Sequence, residues 1–158
     1  MSSPEARIDV AIGHATDDDA QTGCTVLLFS APALCAIDVR GGAPGTRETD
    51  LLEPHNTVEA VNAVVLSGGS AFGLDAASGV QAALREKGAG FVVQDQVVPI
   101  VPAAILFDLA NGGNKDWGRM PPYWELGWQA AEHATAGEFA LGTVGGGYGA
   151  TTVTMKGG

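Results

Sequence analysis

Cations, cysteines and long apolar runs are all scarce in this 158-residue chain, and each shortage closes off a class of function. Eight Lys and Arg residues stand against 18 Asp and Glu, giving a formal charge of −10 at neutral pH. Arg7, Arg40, Arg47, Arg85, Lys87, Lys115, Arg119 and Lys156 are spread without a cluster. There is no basic stripe to track phosphates, so nucleic acid is not an expected partner. No apolar stretch approaches the roughly 20 residues that span a bilayer, and Met1–Arg7 lacks the apolar core of a signal peptide. A cytoplasmic chain with no membrane contact is the expectation. Cys24 and Cys35 are the only cysteines; with no export signal they are expected to sit reduced in the core. His14, His55 and His133 are scattered and match no metal-ligand spacing, so neither a metal nor a cofactor is expected.

What the chain has in quantity is glycine. Its 23 glycines, 46% hydrophobic and 16% charged residues and few aromatics predict small-residue packing with many special turns. At this length that reads as a single α/β domain over residues 1–158. The most informative stretch is Val64–Ala76, where an apolar run stops at Ser67-Gly68-Gly69-Ser70 and a helical pattern starts behind it. Ser70 is placed to cap that helix. Phe72, Ala76, Val80 and Leu84, with Ala83, form its inward stripe. Arg85 and Lys87 suit the last turn, and Gly88 is the expected stop.

Elsewhere the patterning predicts strands over Arg7–Ile12, Thr25–Phe29 and Ala33–Val39. Gly13–Asp19 reads as a turn, and Ser30-Ala31-Pro32 as a hairpin connection between the second and third strands. Arg40–Asp50 is a glycine-rich loop with interleaved charges, equally readable as a functional loop or as a surface crossover with satisfied ion pairs. A short helix over Thr57–Asn62 should lead into a strand at Ala63–Leu66. Phe91–Gln94 and Val97–Val101 read as strands, the second bracketed by prolines, and Ala103–Leu109 as a segment buried on both sides. Asn111–Tyr123 reads as loop, Trp124–Thr135 as helix, Gly142–Gly149 as a glycine-rich turn and Thr151–Met155 as β-like.

Three chemistries can be weighed on residues alone. Ser67 or Ser70 could serve a Ser-His-Asp triad, but Ser-Gly-Gly-Ser is not the Gly-x-Ser-x-Gly elbow that such a serine needs. Neither Ser67–Ala71 nor Gly145–Gly149 matches a phosphate-binding pattern. Asp38, Asp50, Asp75 and Asp108 offer carboxylates, with Asp108, inside an apolar segment, reading foremost as a buried, hydrogen-bonded structural acid.

Several segments in order resemble the L-aminopeptidase/D-amidase-esterase family, which includes β-peptidyl aminopeptidases and nylon-oligomer hydrolases. They are Val10–Thr16, Gly23–Val26, Asp38–Glu48, Leu66–Ala76, Val98–Leu109 and Gly142–Gly158. Together they cover nearly the whole chain. Most specific is the combination of Arg-Gly-Gly-Ala-Pro-Gly-Thr-Arg-Glu (Arg40–Glu48) with Leu-Ser-Gly-Gly-Ser-Ala-Phe-Gly-Leu-Asp-Ala (Leu66–Ala76).

The resemblance implies an α/β/β/α sandwich similar to N-terminal-nucleophile hydrolases, incomplete in this chain. It also implies a self-cleaving precursor in which a new N-terminal Ser or Thr of the β subunit is the nucleophile and its own amine the base. The chain resembles the N-terminal part of the α subunit, so that nucleophile is expected beyond Gly158, and Thr151 and Thr152 are not it. The implied partners are a small peptide or amide substrate, the β subunit of the same precursor, and further copies in a homo-oligomer of processed heterodimers. Ser67, Gly68 and Gly69 become candidate pocket wall. Phe107 falls where nylon-oligomer hydrolases carry a tyrosine, and Thr154 where they carry a lysine. Val101, Pro102 and Ala103 fall where β-peptidyl members place an acid for the substrate amine. A non-catalytic binding or scaffold module on the same fold is the competing expectation, and a serine hydrolase using Ser67 or Ser70 the weakest.

Overall fold

The computed structural model describes residues 9–152 together with 155 and 156. A six-stranded mixed sheet forms its centre. β1 (Val10–Asp17) and β2 (Thr22–Leu34) are an antiparallel hairpin in continuous register from Val10 opposite Phe29 to Asp17 opposite Thr22. Further strands are β3 (Thr46–Arg47), β4 (Ala60–Ser67), β7 (Ala103–Ile105) and β8 (Thr135–Ala136), and the order across the sheet is β3-β7-β4-β2-β1-β8. β4 and β7 run parallel. Between them the chain makes a 3-10 turn (Ser70–Asp75), helix α1 (Ala76–Glu86) and a separate two-stranded hairpin, β5 (Phe91–Val93) with β6 (Gln96–Val98). Helix α2 (Tyr123–Glu132) follows, and β9 (Thr151–Thr152) pairs with β10 (Met155–Lys156).

Both helices pack on one face of the sheet. There the inward positions of the strands, Cys24, Val26, Ala63 and Val65, meet Ala76, Ala77, Val80 and Ala83 of α1 and Leu126, Ala130 and Ala131 of α2. The two helices cross with their backbones nearly touching. A Cβ on Gly79 would lie 1.9 Å from the Trp124 carbonyl oxygen, and one on Gly127 would lie 2.0 Å from that of Ala76. α1 ends as its sequence predicts: Gly88 takes φ +69° and Ala89 N–H reaches back to the Leu84 carbonyl.

Several expectations are overturned. Gly13–Asp17 is strand, and the turn falls at 18–21. Gly13 is there because α2 presses on β1: a Cβ would sit 1.8 Å from the Ala130 carbonyl oxygen. Ser30-Ala31-Pro32 is no hairpin. β2 runs through it to Leu34, and an irregularity in its pairing with β4 between Leu28 and Ala33 absorbs the proline. Residues 35–39 are therefore not a third strand. The helix over Thr57–Asn62 is absent; Ala60–Asn62 already belong to β4, whose pairing with β2 outweighs local propensity. Phe72 is 51% exposed rather than inward. Ser70 caps nothing: it lies at φ +52° and makes no side-chain cap bond. Only Ala103–Ile105 of the 103–109 segment is strand, and Phe107 is exposed.

Candidate active site

The carboxyl ends of the parallel strands β4 and β7 lie side by side, the place where α/β sheets bind ligands because the crossovers leave a crevice there. Ser67 closes β4. Its carbonyl accepts from Leu106 N–H (3.0 Å), and the Leu106 carbonyl accepts from Ser70 N–H (2.9 Å), so the Ser-Gly-Gly-Ser turn is laced to the end of β7. Gly68 N–H donates to Gly23 of β2 (2.9 Å).

Beneath the turn lies Asp108, fully buried. Its carboxylate accepts from Gly69 N–H (2.7 Å) and from the Thr22 hydroxyl (2.6 Å), and Tyr123 O–H points to Thr22 Oγ1 at 3.4 Å. The glycines follow from this network. A Cβ on Gly68 would come within 2.1 Å of Asp108 Oδ2, and one on Gly69, at φ +86°, within 2.1 Å of the Tyr123 ring. Burial pushes the Tyr123 phenol up to about 12, so at neutral pH it is a neutral donor.

Across the cleft stands the glycine-rich 3-10 turn Gly145–Gly147. Gly145 N–H donates to Thr16 Oγ1 and Gly146 N–H to Thr25 Oγ1, each at 3.0 Å, and Thr25 Oγ1 lies 2.9 Å from His14 Nδ1. These bonds seat the turn on the face of β1 and β2 that the helices leave open. Between it and the ends of β4 and β7 is a cleft of 340 Å³, walled by Leu66, Ile105, Leu106 and Ala150, lined also by Ser67 and bearing the hydroxyl of Thr25. A smaller cavity of 160 Å³ adjoins it across Leu66 and Ala104, lined also by Ile37, Leu52 and Val64.

The predicted site residues are placed unevenly. Ser67 lines the larger cleft, and Pro102 and Ala103 line the smaller cavity. Gly68 and Gly69 are buried under the turn and shape it from behind. Val101 is fully buried, its N–H donated to Glu48 Oε2 (3.0 Å). Phe107 is 61% exposed beyond the cleft wall, and Thr154 lies outside the described residues. Thr25, Leu66, Ile105 and Gly146 were not singled out from sequence. Alternation along β2 and β4 marks Thr25 and Leu66 as facing away from the helices, which is the one signal that finds them.

The Arg40–Asp50 loop divides in two. Arg47 donates to the Leu74 carbonyl, Ser78 Oγ (2.7 Å) and Gln81 Oε1 (2.8 Å), and Glu48 holds Val101, so this half clamps the loop to α1 and β7. Arg40 pairs with Asp38 on the open surface, where an ion pair contributes little.

Among the described residues no titratable side chain lines the 340 Å³ cleft, and no group of His, Cys, Asp or Glu could hold a metal. Ser67 Oγ donates to the Gly23 carbonyl at 3.5 Å. The cleft offers apolar walls, the Thr25 hydroxyl and fixed backbone.

The model of Peptidase family S58 matches residues 8–158. An uncharacterized aminopeptidase of Mycobacterium leprae is 46% identical over 163 residues, covering 96% of this chain and 44% of that protein. A 6-aminohexanoate-oligomer endohydrolase of Paenarthrobacter ureafaciens is 32% identical over 145 residues, covering 90% of this chain and 36% of its own length. Among solved structures, the L-aminopeptidase D-Ala-esterase/amidase of Ochrobactrum anthropi, described as a variant of the Ntn hydrolase fold, superposes with TM-score 0.67 at 18% identity, over 95% of this chain and 44% of that one. A Burkholderia β-aminopeptidase gives 0.61 at 21%, over 89% and 40%. The described sheet and helices are thus part of an Ntn-type α/β fold, and the chain spans less than half the length of these relatives. No helix among the described residues is long and apolar enough to cross a membrane.

Proposed function

Because the chain belongs to peptidase family S58, we propose that it forms the substrate-seating part of an aminopeptidase or amidase whose nucleophile is supplied by a later segment of the same precursor. The observation that carries this reading is a formed cleft, at the carboxyl ends of a parallel strand pair, with no nucleophile–base pair among the residues that line it. An N-terminal Ser or Thr would complete it, since the free amine beside the hydroxyl can take the proton as the hydroxyl attacks the carbonyl carbon. Thr25 would then orient the substrate, and Leu66, Ile105 and Leu106 would exclude water from it.

The face of the sheet that carries the cleft has no helix on it among the described residues, and Leu66 there is 46% exposed. That is the face a second sheet would cover in an α/β/β/α sandwich, and we assign that cover to the β subunit of the same precursor. The substrates in view are small peptides, amides or esters carrying a free N-terminus.

Hydrolysis of aminoacyl p-nitroanilides by the full-length protein tests this reading. Activity should survive in both Ser67→Ala and Ser70→Ala, with KM raised no more than about tenfold, because neither serine is the nucleophile. Loss of kcat in either variant with an unchanged fold would return the nucleophile to this turn. A full-length protein with no hydrolytic activity on such substrates would favour a binding or scaffold module.

A further inference from the structure

Resting on the reading of the cleft as a substrate seat, we infer that Thr25 binds a substrate carbonyl oxygen there strictly as a hydrogen-bond donor. His14, behind it, is the positioning residue that makes it so. His14 on β1 and Thr25 on β2 are cross-strand partners, and both point away from the helix-covered face of the sheet. Thr25 lines the cleft, whereas His14 does not. Among the described residues Thr25 Oγ1 bonds to the Gly146 amide at 3.0 Å and to His14 Nδ1 at 2.9 Å. The glycine-rich turn presses closely on the pair. A Cβ on Gly145 would lie 2.4 Å from Thr25 Oγ1 and 2.7 Å from His14 Nδ1.

The place of one proton decides what Thr25 offers. A threonine hydroxyl has one proton to give and a lone pair for each of two donors. The Gly146 N–H occupies one lone pair. His14 Nδ1 either donates to the other or accepts the hydroxyl proton. A neutral imidazole carries its proton on one nitrogen, and the surroundings of Nε2 settle which. His14 Nε2 is shut off from water and meets no hydrogen-bond partner among the described residues. The ring beside it is Phe139, centroids 6.4 Å apart, which has no acceptor atom. Proteins tolerate a buried acceptor with an idle lone pair more often than a buried N–H with nowhere to point. The proton therefore sits on Nδ1 and is donated to Thr25.

With both lone pairs filled, the Thr25 hydroxyl can only give, and the direction left open to it is the cleft. An ammonium or N–H would find no acceptor at Thr25, whereas a carbonyl oxygen finds a fixed donor. The substrate's acyl carbonyl thus lies at Thr25 and its free amine elsewhere. A donor already aimed costs no reorientation as charge builds on that oxygen.

Two readouts on the full-length protein test this. The first is the histidine-ring NMR correlation spectrum, with His14→Asn marking which signals belong to His14. A proton on Nδ1 is expected, and a proton on Nε2 overturns the proposal. The second is hydrolysis of aminoacyl p-nitroanilides. Thr25→Val should lower kcat/KM about tenfold, and Thr25→Ser, which keeps the hydroxyl, less than about threefold. His14→Leu leaves the Gly146 bond to Thr25 in place and only frees the hydroxyl to turn, so kcat/KM should fall about fivefold. His14→Asn can set an amide N–H where Nδ1–H stood and should restore most of that loss. Parent-like kinetics in Thr25→Val or His14→Leu overturn the assignment, as does a His14→Asn no better than His14→Leu. A parent that hydrolyses none of these substrates overturns the substrate seat, and Thr25's role with it, while the ring signals still place the proton.

Discussion

Asp108 sits without exposure to water because two donors are aimed at it, the Gly69 amide and the Thr22 hydroxyl. An unpartnered carboxylate there would be untenable. The same arrangement fixes Gly68 and Gly69, since any side chain at either would enter the carboxylate or the Tyr123 ring. Two neighbours of this network give a pH signature. Burial pushes the Cys24 thiol from 9.0 to about 12 and the Tyr123 phenol from 10.0 to about 12. In the unfolded chain both lose their protons near their ordinary values, while the folded chain holds them. Stability is therefore full below pH 9 and declines as pH rises from about 9 toward 12. Urea midpoints measured across that range should fall, and Tyr123→Phe should make the fall above pH 10 shallower; an unchanged slope would contradict the burial of the phenol. In the same protein at pH 8, iodoacetamide should label Cys35 and spare Cys24 until the chain unfolds.

At the scale of elements, the α1–α2 crossing depends on two glycines that each admit the other helix's backbone. Gly127→Ala gains helix propensity worth about 1 kcal/mol, but its methyl would meet the Ala76 carbonyl, and the resulting overpacking should leave the protein less stable by about 2 kcal/mol net. Equilibrium unfolding in urea reads this directly, and a more stable Gly127→Ala would refute the close crossing. α1 was legible in sequence because its stripe and its Gly88 stop are local signals. The bent strand β2 was not. Ser30-Ala31-Pro32 carries every local mark of a turn, and only pairing with β4 shows that the strand continues through it. Gly13 misled for a related reason, since the residue that demands a glycine there, Ala130, is far away in sequence. The site was partly legible on the same grounds: Ser67 lies in a motif, whereas Thr25, Leu66, Ile105 and Gly146 converge only through the sheet order.

At the scale of the molecule, the helices cover one face of the sheet and the cleft opens on the other. The Ser-Gly-Gly-Ser turn belongs to the scaffold of that cleft: its amides are held by Asp108, Gly23 and Leu106. The central claim is that this chain seats the substrate and a later segment reacts with it. N-terminal sequencing of the polypeptides in purified full-length protein tests it most directly. The account predicts two polypeptides, the smaller beginning with a Ser or Thr encoded beyond Gly158. A single uncleaved chain that hydrolyses aminoacyl amides would contradict it.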